Sequence, residues 1–235
     1  MRFSLLFFAF AFYTVSYTQE ISGDELLNKA IEFHDPKGNW PTFKGGFQVT
    51  METPNSSDRV SKIHLNLPRQ EFVLDVVKEN DSYAYLIEKD SCGISLNGSS
   101  KINEKDIKRL QLSCERGMMM KDYYTYLYGL PMKLKDPGTI VEPKVEKRTF
   151  KGKEYLVLKV NYSEGVGKDT WYFYFDPSTF AMEVYQFFHD ETKNDGEYIL
   201  LKGLENVHGI NMPMSRAWYY NKDDKYLGTD TLSQN

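Results

Sequence analysis

The sequence predicts an α+β domain: one strongly curved antiparallel β sheet, a half barrel of about ten or eleven strands, with three helices on its concave side. Three observations carry this. Apolar and polar residues alternate in many short runs, turn-forming residues divide those runs at even spacing, and only three stretches show helical periodicity. A parallel α/β protein would instead place a helix between successive strands.

The amino terminus has one basic residue, Arg2, then an apolar run from Leu5 to Val15 and the small or polar cluster Ser16-Tyr17-Thr18. That order is the order of a cleavable signal peptide. The run is about eleven residues, roughly half of what a helix needs to cross a ~30 Å hydrocarbon core, so no transmembrane segment is expected. Cleavage after Thr18 would leave one exported domain over residues 19–235. The periplasm is the expected compartment, with outer-membrane association or secretion as the alternatives. The formal net charge of −4 for the whole chain disfavours nucleic acid as a partner. The two cysteines, Cys92 and Cys114, are expected to form a disulfide in an oxidising compartment, since zinc would need two further ligands at suitable spacing.

Ser22-Gly23-Asp24-Glu25 reads as a capping box, and Leu27, Ala30, Ile31 and His34 follow at helical spacing to about Phe33. Asp35-Pro36 stops this helix, because the residue before proline is pushed out of the α region. The period then becomes two: Phe47, Val49 and Met51, then Ile63, Leu65 and Leu67, mark strands with one wet face. Further runs from Phe72 to Val77, Tyr83 to Ile87 and Cys92 to Leu96 are separated by Asn80-Asp81 and Lys89-Asp90, which favour turns. Asn103 is placed to cap a second helix carrying Ile107, Leu110 and Cys114 on one face, and a third, short helix is expected from Asp122 to Tyr128, ended by Gly129 and Pro131. After Asp136-Pro137-Gly138 the strand pattern resumes with Leu156 to Tyr162, Trp171 to Phe175, Met182 to Phe188, Tyr198 to Leu201 and Met214 to Tyr220.

Two stretches carry the residue types of metal or acid–base chemistry, His34-Asp35 and His189-Asp190-Glu191. A hydrolase or lyase using His34 and His189 is therefore one reading, and surface turns at element ends is the other. Neighbours on a strand point to opposite faces, so each stretch offers one ligand at most unless it lies in a turn. No metal site, cofactor or catalytic residue is assigned. Gly165-Val166-Gly167-Lys168 lies between two strand runs with no helix after it and reads as a hairpin loop.

Aromatic residues make up 15% of the chain and concentrate in the third helix and in Trp171-Tyr172-Phe173-Tyr174-Phe175. One reading is core packing. The other is a concave apolar surface for an apolar small molecule or acyl chain, with the tyrosine-rich helix as its cover. On that reading the ligand-binding residues are Tyr123, Tyr124, Leu127, Tyr128, Trp171, Phe173 and Phe175. A third possibility is an interaction module without a small ligand.

Four stretches resemble an uncharacterised family of exported bacterial proteins, domain of unknown function 6503: His34-Asp35-Pro36 with Trp40, Tyr123 to Asp136, Asp169 to Tyr185 and Ala217 to Gly228. The order of elements, with Phe175-Asp176-Pro177-Ser178-Thr179 and His208-Gly209-Ile210-Asn211-Met212-Pro213, also resembles the periplasmic lipoprotein carrier and sorting proteins. The second resemblance implies a half-open barrel wrapped around helices that holds acyl chains. The sequence places no arginine clearly inside such a barrel, so the resemblance implies a carrier of apolar ligands in general rather than lipoprotein transfer.

Overall fold

The computed structural model describes residues 20–234, so the expected signal peptide lies outside the described residues. The chain opens with α1 (Gly23–His34), whose Ser22 side chain accepts from the Glu25 amide as the capping box requires. Five strands follow: β1 (Lys44–Thr53), β2 (Ser56–Asn66), β3 (Glu71–Lys78), β4 (Asp81–Glu88) and β5 (Ser91–Leu96). Next come α2 (Glu104–Leu110) and α3 (Cys114–Tyr128), and then β6 (Thr139–Val141), β7 (Glu146–Phe150) and β8 (Lys153–Tyr162). The chain continues with β9 (Thr170–Phe175), β10 (Met182–Phe188), β11 (Glu197–Val207), β12 (Ile210–Tyr220) and β13 (Tyr226–Gln234).

All thirteen strands lie in one antiparallel sheet, ordered β5-β4-β3-β2-β1-β13-β12-β11-β10-β9-β8-β6, with β7 also on β8. Two meanders are thus joined at the middle by β1 and β13, where Phe47 faces Gln234 and Met51 faces Asp230. The outer strands β5 and β6 do not pair with each other, so the curved sheet stays unclosed. The thirteen strands exceed the ten or eleven expected. β6 and β7 are too short to show a period, and the inward face of β13 reads Gly228, Asp230, Leu232, which hides the apolar alternation.

The helices also differ from expectation. Gln111 takes the left-handed conformation at the end of α2, and the Ser113 hydroxyl caps a new helix by accepting from the Arg116 amide. Cys114 therefore opens α3 rather than riding on the second helix, and residues 122–128 are the C-terminal half of α3 rather than a separate short helix. α2 has no buried residue, so it does not join α1 and α3 in the core; Ile107 and Leu110 alone make too narrow an apolar face. It is fastened at the surface by Arg109, which donates to Asp81 and Asp106.

α3 sits in the connection between the two sheet edges. Gly117 lets its N-terminal half lie close on β4, since a Cβ there would meet the Tyr85 ring at 2.7 Å. Its C-terminal half reaches the other meander, where Tyr126 meets Tyr162 of β8 and Trp171 of β9. The main core fills the space between α1, α3 and the inward side chains of the sheet. A second, smaller apolar cluster of Tyr155, Val157, Tyr172, Tyr174 and Val184 lies on the opposite face, which is why Trp171 to Phe175 is apolar at every position. Cys92 of β5 and Cys114 of α3 form a disulfide, with Cα atoms 5.8 Å apart.

Candidate functional site

The interior beneath α3 combines aromatic packing with charge. β12 pairs with β13 so that Arg216 lies opposite Asp230, and Asp230 lies opposite Met51 of β1, which in turn faces Arg59 of β2. Period two turns all four side chains to the inner face. Arg216 is 1% exposed and Asp230 2%, and both are enclosed by Tyr123, Tyr124 and Tyr128 of α3 and Tyr185 of β10. The Arg216 guanidinium carbon lies 3.9 Å from the centre of the Tyr128 ring, and Nη1 donates to the Pro213 carbonyl at 2.8 Å. Asp230 Oδ2 accepts from the Trp218 indole at 3.2 Å.

Much of this cluster lacks hydrogen-bond partners. Buried and unpartnered are Arg216 Nε, Asp230 Oδ1, Arg59 Nε, Ser61 Oγ and the hydroxyls of Tyr85, Tyr124, Tyr128 and Tyr185. Native interiors satisfy most such atoms, so their concentration here singles this region out as the candidate site. Burial pushes the Tyr128 hydroxyl well above its ordinary pKa and also raises Asp230, the latter opposed by the positive charges of Arg216 and Arg59.

Where α3 ends against β8 and β9, a pocket of about 450 Å³ opens between Tyr126, Tyr162, Trp171 and the loop carrying Gly167 and Lys168. Lys133 with Asp136, joined by an ion pair, Asp122 and Asp169 stand among its lining groups. The Tyr126 and Tyr162 hydroxyls are hydrogen-bonded to each other, and Trp171 stacks on Phe187 with centroids 4.9 Å apart.

The structure distributes the residues proposed from sequence between these two places. Tyr124, Leu127, Tyr128, Phe173 and Phe175 are buried in the main core, none more than 4% exposed, while Tyr123 is half-buried against it and Trp171 reaches the pocket. The charged pair was not anticipated. The sequence reading placed no arginine inside the barrel, whereas Arg216 is among the most deeply buried side chains of the domain. Its phase with Ile210 and Met212 on β12 was the available signal.

The two histidine stretches do not meet. His34 is fully buried at the end of α1, not in a surface turn: Nε2 accepts from the Met182 amide at 3.0 Å, so Nδ1 carries the proton donated to the Asn211 carbonyl at 2.6 Å. Burial lowers its pKa to about 4. Asp35 accepts from the amides of Asn39 and Trp40 and shapes the turn after the helix. His189 is exposed beyond the far end of β10 and bonds Asp169, which raises its pKa. The seven residues of β10 separate the two histidines by roughly 20 Å. Among the described residues no group of three His, Cys, Asp or Glu is placed to hold a metal ion, and no helix is long and apolar enough to cross a membrane.

The family model of DUF6503, described as a family of unknown function, matches residues 1–235. The chain belongs to the DUF6503 family. No curated protein sequence matches this DUF6503 member. Among solved structures it is similar to a LolA superfamily protein from Nitrosomonas europaea, with a TM-score of 0.54 at 12% identity, covering 91% of this chain and 92% of that one. A DUF1329 family protein from Desulfovibrio piger matches with a TM-score of 0.50 at 8% identity over 91% of this chain and 92% of that one. At such identities the likeness is one of fold: the unclosed, curved antiparallel sheet of this chain is similar to the fold of that LolA superfamily protein.

Proposed function

We propose that the protein is a non-catalytic carrier of an apolar ligand, a lipid or acyl chain, working in the periplasm. The observation that carries this reading is α3: an aromatic helix laid across an unclosed sheet, over an interior whose buried polar atoms it leaves unpartnered. A helix so seated is a cover that a better-matched ligand can displace. Its disulfide to β5 holds the N-terminal end, so opening is a swing of the C-terminal half away from β8 and β9, where the pocket beside Trp171 already lies. Tyr123, Tyr124, Leu127 and Tyr128 then line the space from above, and Trp171, Phe173 and Phe175 from the sheet. The LolA-superfamily fold supports the same reading.

The deep burial of Tyr124, Leu127, Tyr128, Phe173 and Phe175 favours a second reading, an interaction module whose aromatics are core alone. Solvent extraction of the purified protein followed by mass spectrometry separates the two. Lipid at near-stoichiometric amount is expected for a carrier. Absence of lipid, together with no uptake of an apolar fluorescent probe, would leave the interaction module in its place.

A further inference from the structure

We infer that the ligand is an amphiphile with a singly charged oxyanion head group, received inside the sheet by Arg216 and Arg59; this rests on the carrier reading. The argument begins with a charge count. The inner face of β2, β12 and β13 brings together two guanidinium groups and one carboxylate. Arg216 and Asp230 are enclosed, and Arg59 is half-buried with its Nε out of water. Two guanidinium groups against one carboxylate leave the cluster one net positive charge, which one negative charge would neutralise. A phosphate monoester, at nearly two charges, would overshoot. A carboxylate or a phosphodiester fits.

The donors also fit. Arg216 spends one of its N–H groups on Pro213 and stacks on Tyr128, while its Nε, the Nε of Arg59 and the hydroxyls of Ser61, Tyr85, Tyr124, Tyr128 and Tyr185 are buried without partners. Arginine offers a planar fork suited to a two-oxygen acceptor, and hydrogen bonds to a charged acceptor are the strong ones. Asp230 does not fill this role: Oδ2 is occupied by Trp218, Oδ1 is unpartnered, and among the described residues it makes no ion pair with either arginine. In the closed state the Tyr128 ring stands over the guanidinium where the head group would arrive. Displacing α3 uncovers the arginines and the apolar wall of Phe47, Phe173 and Tyr185 together, which matches a ligand with a chain and a charge.

The test uses the full domain without its expected signal peptide and two probes with the same chain, cis-parinaric acid and its methyl ester, at pH 8. The acid is expected to bind at least about tenfold more tightly than the ester, the worth of one charge-assisted hydrogen bond. In Arg59→Gln and Arg216→Gln that ratio should fall toward one while ester binding stays; Arg59 is only half-buried, so its variant remains informative if Arg216→Gln fails to fold. Equal affinity for acid and ester in the unaltered protein overturns the head-group inference and leaves the carrier reading standing. No binding of either probe removes the carrier reading itself. Displacement of the acid by acetate or inorganic phosphate at millimolar concentration would make this a small-anion site and also overturn the inference. Displacement by oleate but not by lysophosphatidylglycerol identifies a carboxylate, and displacement by both extends the site to phosphodiesters.

Discussion

Acid should loosen the attachment of α1 to the sheet through one residue. His34 ties the helix end to β12 through Asn211 and to β10 through Met182, and both bonds require the neutral ring with its proton on Nδ1. A second proton on Nε2 would face the Met182 amide, donor against donor. The folded pKa of about 4 lies below the unfolded value of 6.5, so the unfolded state binds the proton first as pH falls. The stability from this group is therefore complete above pH 6.5 and lost as pH falls from 6.5 toward 4. Taking those two values, the loss between pH 7.5 and pH 4.5 is roughly 2–3 kcal/mol from His34 alone. Carboxylates also titrate toward the acid end of that range, so the measurement is a difference. Denaturant unfolding followed by tryptophan fluorescence at both pH values should show His34→Gln losing roughly 2–3 kcal/mol less than the unaltered protein on acidification. Equal acid sensitivity in the two proteins would refute the reasoning, as would an NMR assignment of the proton to Nε2 at neutral pH.

Three further outcomes follow from packing. Replacing Cys92 and Cys114 with serine should lower stability by about 3 kcal/mol, close to a 10 °C fall in Tm, through the freed loop in the denatured chain; a Tm within about 2 °C of the original would count against the disulfide's role. Gly117→Ala should prise α3 off β4 at about 1–3 kcal/mol, because its Cβ would crowd Tyr85 and Ile87, and under the carrier reading it should speed probe uptake measured by stopped-flow fluorescence. Tyr124→Ala with Leu127→Ala should weaken probe binding more than it lowers Tm; complete unfolding without residual binding would favour the interaction module.

What could be read before the structure followed residue chemistry closely. Ser22 with Glu25, the alternation around Phe47 and Ile63, and the turns at Asn80-Asp81 and Lys89-Asp90 each signal their element locally, and those elements are present. The failures cluster where the inner face is polar. β13 presents Asp230 inward and β12 presents Arg216, and charged residues at these positions carry no apolar signal that marks the inner face. The alternation signal assumes an apolar interior, and the buried Arg216 and Asp230 depart from it. The continuity of α3 escaped notice for another reason: Gly117 and Asp122 look like interruptions, but Gly117 is tolerated because the helix needs a close approach to β4 there. His34 looked like a surface residue because its partners, Met182 and Asn211, lie 148 and 177 positions away in sequence.

The pairing of β1 with β13 sets the order in which this sheet can be assembled. The strand that occupies its middle follows every other strand along the chain, so the meander of β1 to β5 and the meander of β8 to β12 are not joined by strand–strand hydrogen bonds until residues 226–234 are available. Until then two inner edges, those of β1 and β12, stand open, and the pocket for Arg216 has no Asp230 beside it. A domain with its keystone at the end of the sequence depends on long-range closure and folds slowly compared with one built from neighbours alone. Under the proposed periplasmic role, such a chain would gain from crossing the membrane unfolded and folding after release, when the last strand is free to slide between the two halves.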